Sequence, residues 1–579
     1  MKKSKVPAPK PAAPVPAATR KFKTWHYACA VLLAIFVLFQ VYGPALNGPF
    51  VYDDPYLPFA APGFEDRTIK EVVLTVRPLL MLSFWLNLHI SGDQPYGYHL
   101  WNVVLHSITG FFVFLIVLKL LRRVDQDRQR TFMLACFASG VFLLHPLQTE
   151  SVAYIASRSE ALSVFFAYAA LAVFLTQPPE GISWVRSFSV LILFGCAALT
   201  KEHTAVLPAV LVAIDYYWHP GFSIRGILRN WRLYAPMALA AAAGLSFVLW
   251  VLRGSDTAGF GMKNLQWYEY FFTQCRAIWV YLRLFLLPYG LNIDHDFPLS
   301  HSITDHGAIF GLIGLVALLA AAWIYRKQYP LASFGVVLFL MLLAPTSSFV
   351  PIRDTLVERR FYLPSIGLLL VLVDILRRIE LPKARLAPAL AAVLIVLGVL
   401  THHRNRLWGD SLLLWGDAVA KSPNKARPHS QLAFALQRAN RCADALPHYE
   451  KASQLAKSDP RNLINWALAL DCVGRQDEAI AKLKQALALE ETGHVYSLIG
   501  MIYGKQGLLK ESLEALDTAV RLEPLNDMAY VYRGNVYVSS NEIQKAIAEY
   551  RHALAINPRN EVARMTLMRI GATTRQQKQ

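Results

Sequence analysis

GMIYGKQGLLKESLEALDTAVRLEP (500–524) and GNVYVSSNEIQKAIAEYRHALAINP (534–558) are one pattern written twice. Each copy opens on a small residue, Gly500 or Gly534, and closes on a proline, Pro524 or Pro558. Two earlier copies precede them, with Ala433 and Ala467 at the small place. Tyr449, Leu483, Leu516 and Tyr550 fill the bulky place, and Ala445, Ala479, Ser512 and Ala546 recur with Ala452, Ala486, Ala519 and Ala553 a fixed step behind them. The repeat length is about 34 residues, enough for two short antiparallel helices. Small residues recur because paired helices approach closely there, and bulky ones fill the seam with the next pair.

Length and signature are those of the tetratricopeptide repeat (TPR), so residues 402–579 are expected to form an α-solenoid of about four repeats. Its concave groove suits an extended peptide or another protein, and a spacer or assembly surface is the alternative.

The rest of the chain reads differently. With 55% hydrophobic and 17% charged residues and a positive mean hydropathy, the 579 residues are not those of a soluble globule. Apolar runs near 25–43, 99–120, 131–147, 161–176, 186–200, 204–218, 233–252, 306–325, 331–345, 361–376 and 386–401 predict about eleven spans. Alternating them gathers the basic N-terminal arm, Arg122-Arg123 with Arg128 and Arg130, Arg225 with Arg229 and Arg232, Arg326-Lys327, and Arg377-Arg378 with Lys383 and Arg385 on one face, the cytoplasmic one. That distribution accounts for the +18 net charge without a nucleic-acid partner. The opposite face receives the loop 44–98, the 145–160 connection, Lys201-Glu202, the 253–305 region, the 346–360 loop and the solenoid. Tyr270 to Pro288 is apolar enough to cross, but a crossing there would reverse every later loop, so it is expected to be re-entrant or to lie at the interface. Residues 1–24, rich in Pro, Ala and Lys, read as a disordered arm, and the run after them as a retained first helix, since no small-residue cleavage site follows. Cys29, Cys136, Cys196 and Cys275 read as small core residues, whereas Cys442 and Cys472 can pair if the solenoid is extracytoplasmic.

Just after the first span stands GPFVYDDPYL, with Asp53 and Asp54 adjacent near the membrane surface. Such a pair is costly to desolvate unless it is used or solvated, and a turn signal before Pro55 is the plainer alternative. Arg77, Arg158, Lys201, Arg353, Arg359 and Arg360 fall on the outer face, where Lys and Arg should be scarce, so each needs a reason. Arg359-Arg360 suit phosphate, headgroup contact or a pair with Glu358. Lys201 and Glu202 suit a cavity or a neutralising pair. Glu150 and Arg158 share a helix face and either line a cavity or bond within it. His99, Asn102 and His106 form a stripe that suggests a metal site or, more plainly, bonds between helices. Asp294, His295 and Asp296 suit a metal, an acceptor or a solvated loop.

Five fragments in this order carry a resemblance: the GPFVYDDPYL element, RPLLMLSFWLNLHISGDQPYGYHLWNVVLHSITG (77–110), HPLQTESVAYIASRSE (145–160), LTKEHTAVLPAVLVAIDYY (199–217) and VERRFYLPSIG (357–367). With the trailing repeats they closely resemble the transmembrane and TPR-containing protein O-mannosyltransferases and their bacterial relatives, a branch of the GT-C glycosyltransferases. The likeness covers essentially the whole chain.

It implies an all-α polytopic bundle (25–401, GT-C type, with outer loop 44–98) followed by the solenoid. It also implies a sugar such as mannose or another hexose on a polyprenyl phosphate, transferred to Ser or Thr of periplasmic or exported proteins at a bacterial inner membrane. By that resemblance Asp53 or Asp54 is the base; the outer cations are the candidates to meet the leaving phosphate, and Tyr52, His99, His145, Glu150, Glu202, Glu358 and Tyr362 are expected to line the cavity. No cofactor beyond the lipid-linked co-substrate is expected, nor a metal. A transferase acting on lipid or cell-wall glycan, or a non-enzymatic TPR scaffold, are the competing readings. No GxxxxGK[ST], HExxH or paired CxxC is present, which gives no support to an ATP-driven pump, a zinc protease or a redox enzyme.

Overall fold

A computed structural model describes residues 24–576 except 61–62, 179, 254–257, 263–264 and 457–458. The expected N-terminal arm, up to residue 23, lies outside the described residues. Among those described the chain is all helix, save one isolated bridge between Ala258 and Ile352.

Every expected span coincides with a helix, but many are short. Pro95–Leu121, Ile155–Phe174, Asp305–Ile324 and Lys383–Trp408 are long and apolar enough to cross a membrane, and a bent pair, Arg128–Leu144 with Pro146–Ala153, makes five. Trp184–Ala198 and Pro330–Leu343 are apolar but shorter. At about 1.5 Å per residue, such helices fall short of a hydrocarbon core of roughly 30 Å. Among the described residues, four or five of the eleven expected crossings are met by helix length and composition. Apolar runs persist through turns where the helix itself stops, as at His145 and Leu199.

The grouping of loops by side is visible in space. At one end of the bundle Lys383 pairs with Asp127 at 2.7 Å, Arg130 donates to the Leu376 carbonyl at 3.1 Å, Arg378 donates to the Gln328 carbonyl at 2.8 Å, and Arg123 bonds His219 at 2.9 Å. The other end carries Asp53, the 145–160 connection, the 290s and the 346–360 loop. The helix Trp267–Leu286 is continuous and stays at that second end. Gln274 and Tyr281 donate to the carbonyls of Thr355 and Val357, and Asn292, just beyond the helix, donates its backbone N–H to Glu358. Trp267, Tyr268, Trp279 and Leu286 remain exposed along it while Tyr270, Ala277, Ile278 and Tyr281 are buried. It is one unbroken helix, with one face packed on the 346–360 loop and the other exposed.

The outer loop 44–98 is itself structured. A helix Ile69–Val73, closed by a Thr68–Glu71 capping box, precedes Pro78–Ser91, and Phe59, Phe64, Val72, Leu80, Phe84, Leu88 and Tyr98 form a small core over Ile155.

The solenoid stacks four helix pairs: Ala426–Arg438 with Cys442–Leu455, Pro460–Cys472 with Gln476–Leu489, Gly493–Lys505 with Leu509–Leu522, and Asp527–Ser539 with Ile543–Ile556. Glu561–Gln576 follows as a cap. The periodic residues carry the packing. Tyr449, Leu483, Leu516 and Tyr550 are wholly buried, and a Cβ on Gly500 would stand 2.5 Å from Leu516 Cγ. Cys442 and Cys472 form a disulfide that ties the first pair to the second.

Two features fix the solenoid on the bundle. The helix Lys383–Trp408 runs on past the expected boundary at residue 401 and leads into Ser411–Lys421. One apolar cluster then unites Ala45, Val51, Tyr154 and Ile293 with Trp408, Trp415, Ala433 and Tyr449. Backbones approach so closely there that a Cβ on Gly48 would lie 2.5 Å from the Trp408 carbonyl oxygen. Far along the solenoid, Arg559 meets Glu65 of the outer loop at 2.8 Å, an exposed pair of little energetic weight.

Candidate active site

The acidic pair follows the first helix as the entry to a 3-10 turn, Asp54–Tyr56, in which Pro55 restricts the backbone. The two carboxylates point into different worlds. Asp54 is wholly buried and accepts the backbone N–H of Val51 at 3.1 Å and of Ala156 at 2.8 Å. Burial pushes its carboxyl up to about 8, against those two amides, which favour the charged form. Asp53 is exposed. Its backbone N–H donates to the Tyr154 hydroxyl at 3.1 Å, and that hydroxyl donates back to Asp53 Oδ2 at 2.9 Å. A carboxylate that is open to solvent yet held by one short hydrogen bond is oriented without being consumed.

Tyr154 links Asp53 to the cations. The Arg359 guanidinium lies 5.8 Å from the centre of the Tyr154 ring. Arg359 is bound through side chain and backbone to Glu150, whose charge raises the guanidinium's pKa although burial alone would lower it. Beside it, Arg77 forms a two-pronged pair with Glu202 at 2.9 and 2.8 Å, and Lys201 meets Glu160, which His203 also approaches at 3.2 Å. Burial, with the like charges of Arg77 and Arg359, lowers the Lys201 pKa against the pull of Glu160. Arg77, Lys201 and Arg359 are thus electrostatic neighbours, each braced by a carboxylate and each partly exposed.

Several expected site residues stand elsewhere. Arg158 is sealed, not open to a phosphate: it donates to Asn102 at 3.0 Å, Asn87 at 2.7 Å and the carbonyls of Tyr98 and Ser83, with the Phe84 ring at 4.6 Å. It does not pair with Glu150. Arg360 is likewise spent on Tyr270, Thr355 and the Asp354 carbonyl. His99 bonds the Gly48 carbonyl at 3.2 Å, His145 the Phe285 carbonyl at 2.9 Å, and the Tyr362 hydroxyl bonds His106 at 2.8 Å inside the main core. Glu358 is buried against Asn292 and His295. All four are bonded within the protein. The His99–Asn102–His106 stripe makes bonds between helices, and among the described residues no group of three His, Cys, Asp or Glu stands where a metal could be held.

Arg353 lines a cavity of about 520 Å³, together with Asp296, Phe297, Asp354, Lys425 and Arg427. Sequence reasoning missed the last of these. Asp294 of the NIDHDFP run is neither metal ligand nor solvated: Arg427, on the first solenoid repeat, grips it at 2.7 and 2.8 Å and Lys425 at 2.6 Å. Arg427 also reaches Asp354 at 2.5 Å and the Tyr52 hydroxyl. Burial alone would raise Asp354, but the Arg427 charge and hydrogen bond hold it down to about 2. Tyr52 is half-buried, its ring against those of Tyr154 and Trp415. Tyr154, Glu160 and His203 also went unnoticed, although Tyr154 sits in the HPLQTESVAYIASRSE motif.

A tetratricopeptide-repeat family model matches residues 498–561. The chain is 25% identical over 460 residues to a protein O-mannosyl-transferase of Caenorhabditis elegans, covering 74% of this chain and 63% of that one. It is 24% identical over 560 residues to mouse protein O-mannosyl-transferase TMTC3 (87% and 59%) and 23% identical over 512 residues to human TMTC1 (76% and 56%). Its homologues are thus protein O-mannosyl-transferases, and the chain spans about three-fifths of the length of the curated relatives it matches. Among solved structures, that of MamA covers 26% of this chain and 88% of its own at 18% identity, with a TM-score of 0.23.

Proposed function

We propose that this chain is an integral-membrane protein O-glycosyltransferase that moves a hexose, mannose in the first instance, from a polyprenyl phosphate to Ser or Thr of exported proteins, with Asp53 as general base. The observation that carries it is the Tyr154 bridge, which brings an exposed, oriented carboxylate beside Arg359 and its cationic neighbours. The relatives' printed activity supports the same chemistry. Asp53 takes the proton of the acceptor hydroxyl as its oxygen bonds to the anomeric carbon. The bond from that carbon to the phosphate oxygen breaks, and the polyprenyl phosphate leaves with the electron pair. Arg359, Lys201 and Arg77 stabilise its charge, with no resident metal. Asp54, buried and pushed up to about 8, is poorly suited to be the base and serves to pin the loop.

In this reading the bundle is of GT-C type with about eleven crossings. The shorter helices complete theirs through non-helical turns, which are tolerated at membrane depth when buried in protein. The basic end is cytoplasmic, with the N-terminus, and the solenoid is periplasmic in a bacterial inner membrane. A disulfide between Cys442 and Cys472 suits that compartment. The solenoid presents the acceptor on the face where donor chemistry occurs.

Mass spectrometry of exported proteins from cells with and without the gene tests this. Hexose on Ser or Thr that disappears with the gene is expected. A change confined to lipid or cell-wall glycan would reassign the acceptor, and no change in any glycan would leave a scaffold.

A further inference from the structure

The residue before the candidate base has an uncommon backbone. Tyr52 has φ 59°, a left-handed conformation that non-glycine residues rarely adopt. Something must hold it, because relaxation there would swing Asp53. Its ring lies against Tyr154 and Trp415, and its hydroxyl is bonded by Arg427, whose guanidinium also stands 5.2 Å from the ring centre. The same guanidinium holds Asp294 and Asp354, so one side chain of the first solenoid repeat gathers three separate segments of the membrane domain.

Simple docking of the solenoid does not need all of this. Lys421 donates to the Leu291 carbonyl at 2.8 Å, Lys425 to the His295 carbonyl at 2.8 Å, and Asn292 to Ser422 at 2.8 Å, above the buried Trp408 and Trp415. Arg427 adds direct bonds to the Tyr52 hydroxyl and to Asp354.

We propose that Arg427 is a positioning residue for the transfer reaction: it holds Tyr52 in the conformation that aims Asp53, which makes the first repeat part of the catalytic apparatus and not only a carrier of acceptor. This rests on Asp53 being the base. Tyr154 orients the carboxylate from the membrane domain and Arg427 sets the backbone from the solenoid. Two independent elements therefore converge on one residue.

The test uses the full chain in lipid nanodiscs, with polyprenyl-phosphate mannose as donor. The acceptor is a peptide carrying a Ser or Thr site found glycosylated only in cells that have the gene. For Arg427→Ala and Tyr52→Phe, kcat should fall about 10- to 100-fold, the cost of small misplacement, with KM for donor and acceptor nearly unchanged; the melting temperature should hold for Tyr52→Phe and drop for Arg427→Ala, which takes a partner from Asp294 and Asp354. Arg427→Lys should recover part of the loss, since one ammonium cannot reach three partners. The double variant should be no worse than Arg427→Ala, because both break one link. If Arg427→Ala does not fold, Tyr52→Phe, which keeps the ring, carries the test. A raised acceptor KM with kcat kept, or full activity in every variant, would overturn the proposal. Asp53→Asn is run beside them: if it retains full transfer, the assignment of the base has failed and not the coupling to the solenoid.

Discussion

Replacing Asp54 separates the two carboxylates by their physics. Its oxygens accept the N–H groups of Val51 and Ala156, and none of the residue is exposed. Asp54→Asn keeps one oxygen and turns an NH2 toward the other amide, which orphans one buried donor at about 1–3 kcal/mol. Asp54→Ala orphans both and leaves a void, for about 2–6 kcal/mol. The sign of the pH dependence follows from the raised carboxyl. Because the folded value, about 8, exceeds the unfolded one, folding takes up a proton between roughly pH 4 and 8, and this residue's contribution falls as pH rises through that window. The Asn variant lacks that slope, so its stability deficit against wild type should be larger at pH 5 than at pH 8. The assay is thermal unfolding followed by tryptophan fluorescence at a fixed scan rate, with transfer measured well below melting. The variant should melt earlier yet transfer normally per folded molecule. Unchanged melting at both pH values with transfer abolished would refute the reasoning and make Asp54 the base.

Tyr154→Phe removes the hydroxyl that donates to Asp53 at 2.9 Å, a bond to a charged group, and kcat should drop about 10- to 100-fold without loss of fold. Arg158→Met orphans the acceptors of Asn87, Asn102 and two carbonyls, so yield and melting temperature should fall sharply while activity per folded molecule persists. Cys442→Ser opens a bridge between residues 30 apart in sequence, and chain entropy sets its cost at about 3–4 kcal/mol, read as faster proteolysis of the solenoid with transfer at low temperature retained.

The repeats were legible because their signal is local: Ala479 or Leu516 faces the same neighbour in every unit, so the packing reappears as a sequence period. The gathering of basic loops was legible too, since Arg130, Arg378 and Lys383 bond neighbouring segments at one end of the bundle. Helix length was less so. Apolar composition continues through buried turns such as 145–148, where hydropathy cannot see that the backbone has left the helix. The surroundings of Asp53 and Asp54 are set by Tyr154 and Ala156, a hundred residues away, and no local pattern separates two adjacent acids whose neighbours come from elsewhere. Arg158 and Arg359 were singled out by one logic, and their surroundings differ. An outer cation needs a partner, and for Arg158 the partners are neutral amides and carbonyls that carry no charge signal. Arg427 left no trace, because its meaning depends on the solenoid folding back onto Tyr52 and Asp354.

The rate of sugar transfer by Asp53→Asn, in protein shown to be folded by an unchanged melting profile, decides whether this carboxylate is the base. With polyprenyl-phosphate mannose and a saturating peptide acceptor, kcat should fall about 100- to 10,000-fold, the usual worth of a general base, with donor still bound at its wild-type affinity. Transfer at the wild-type rate would contradict that assignment.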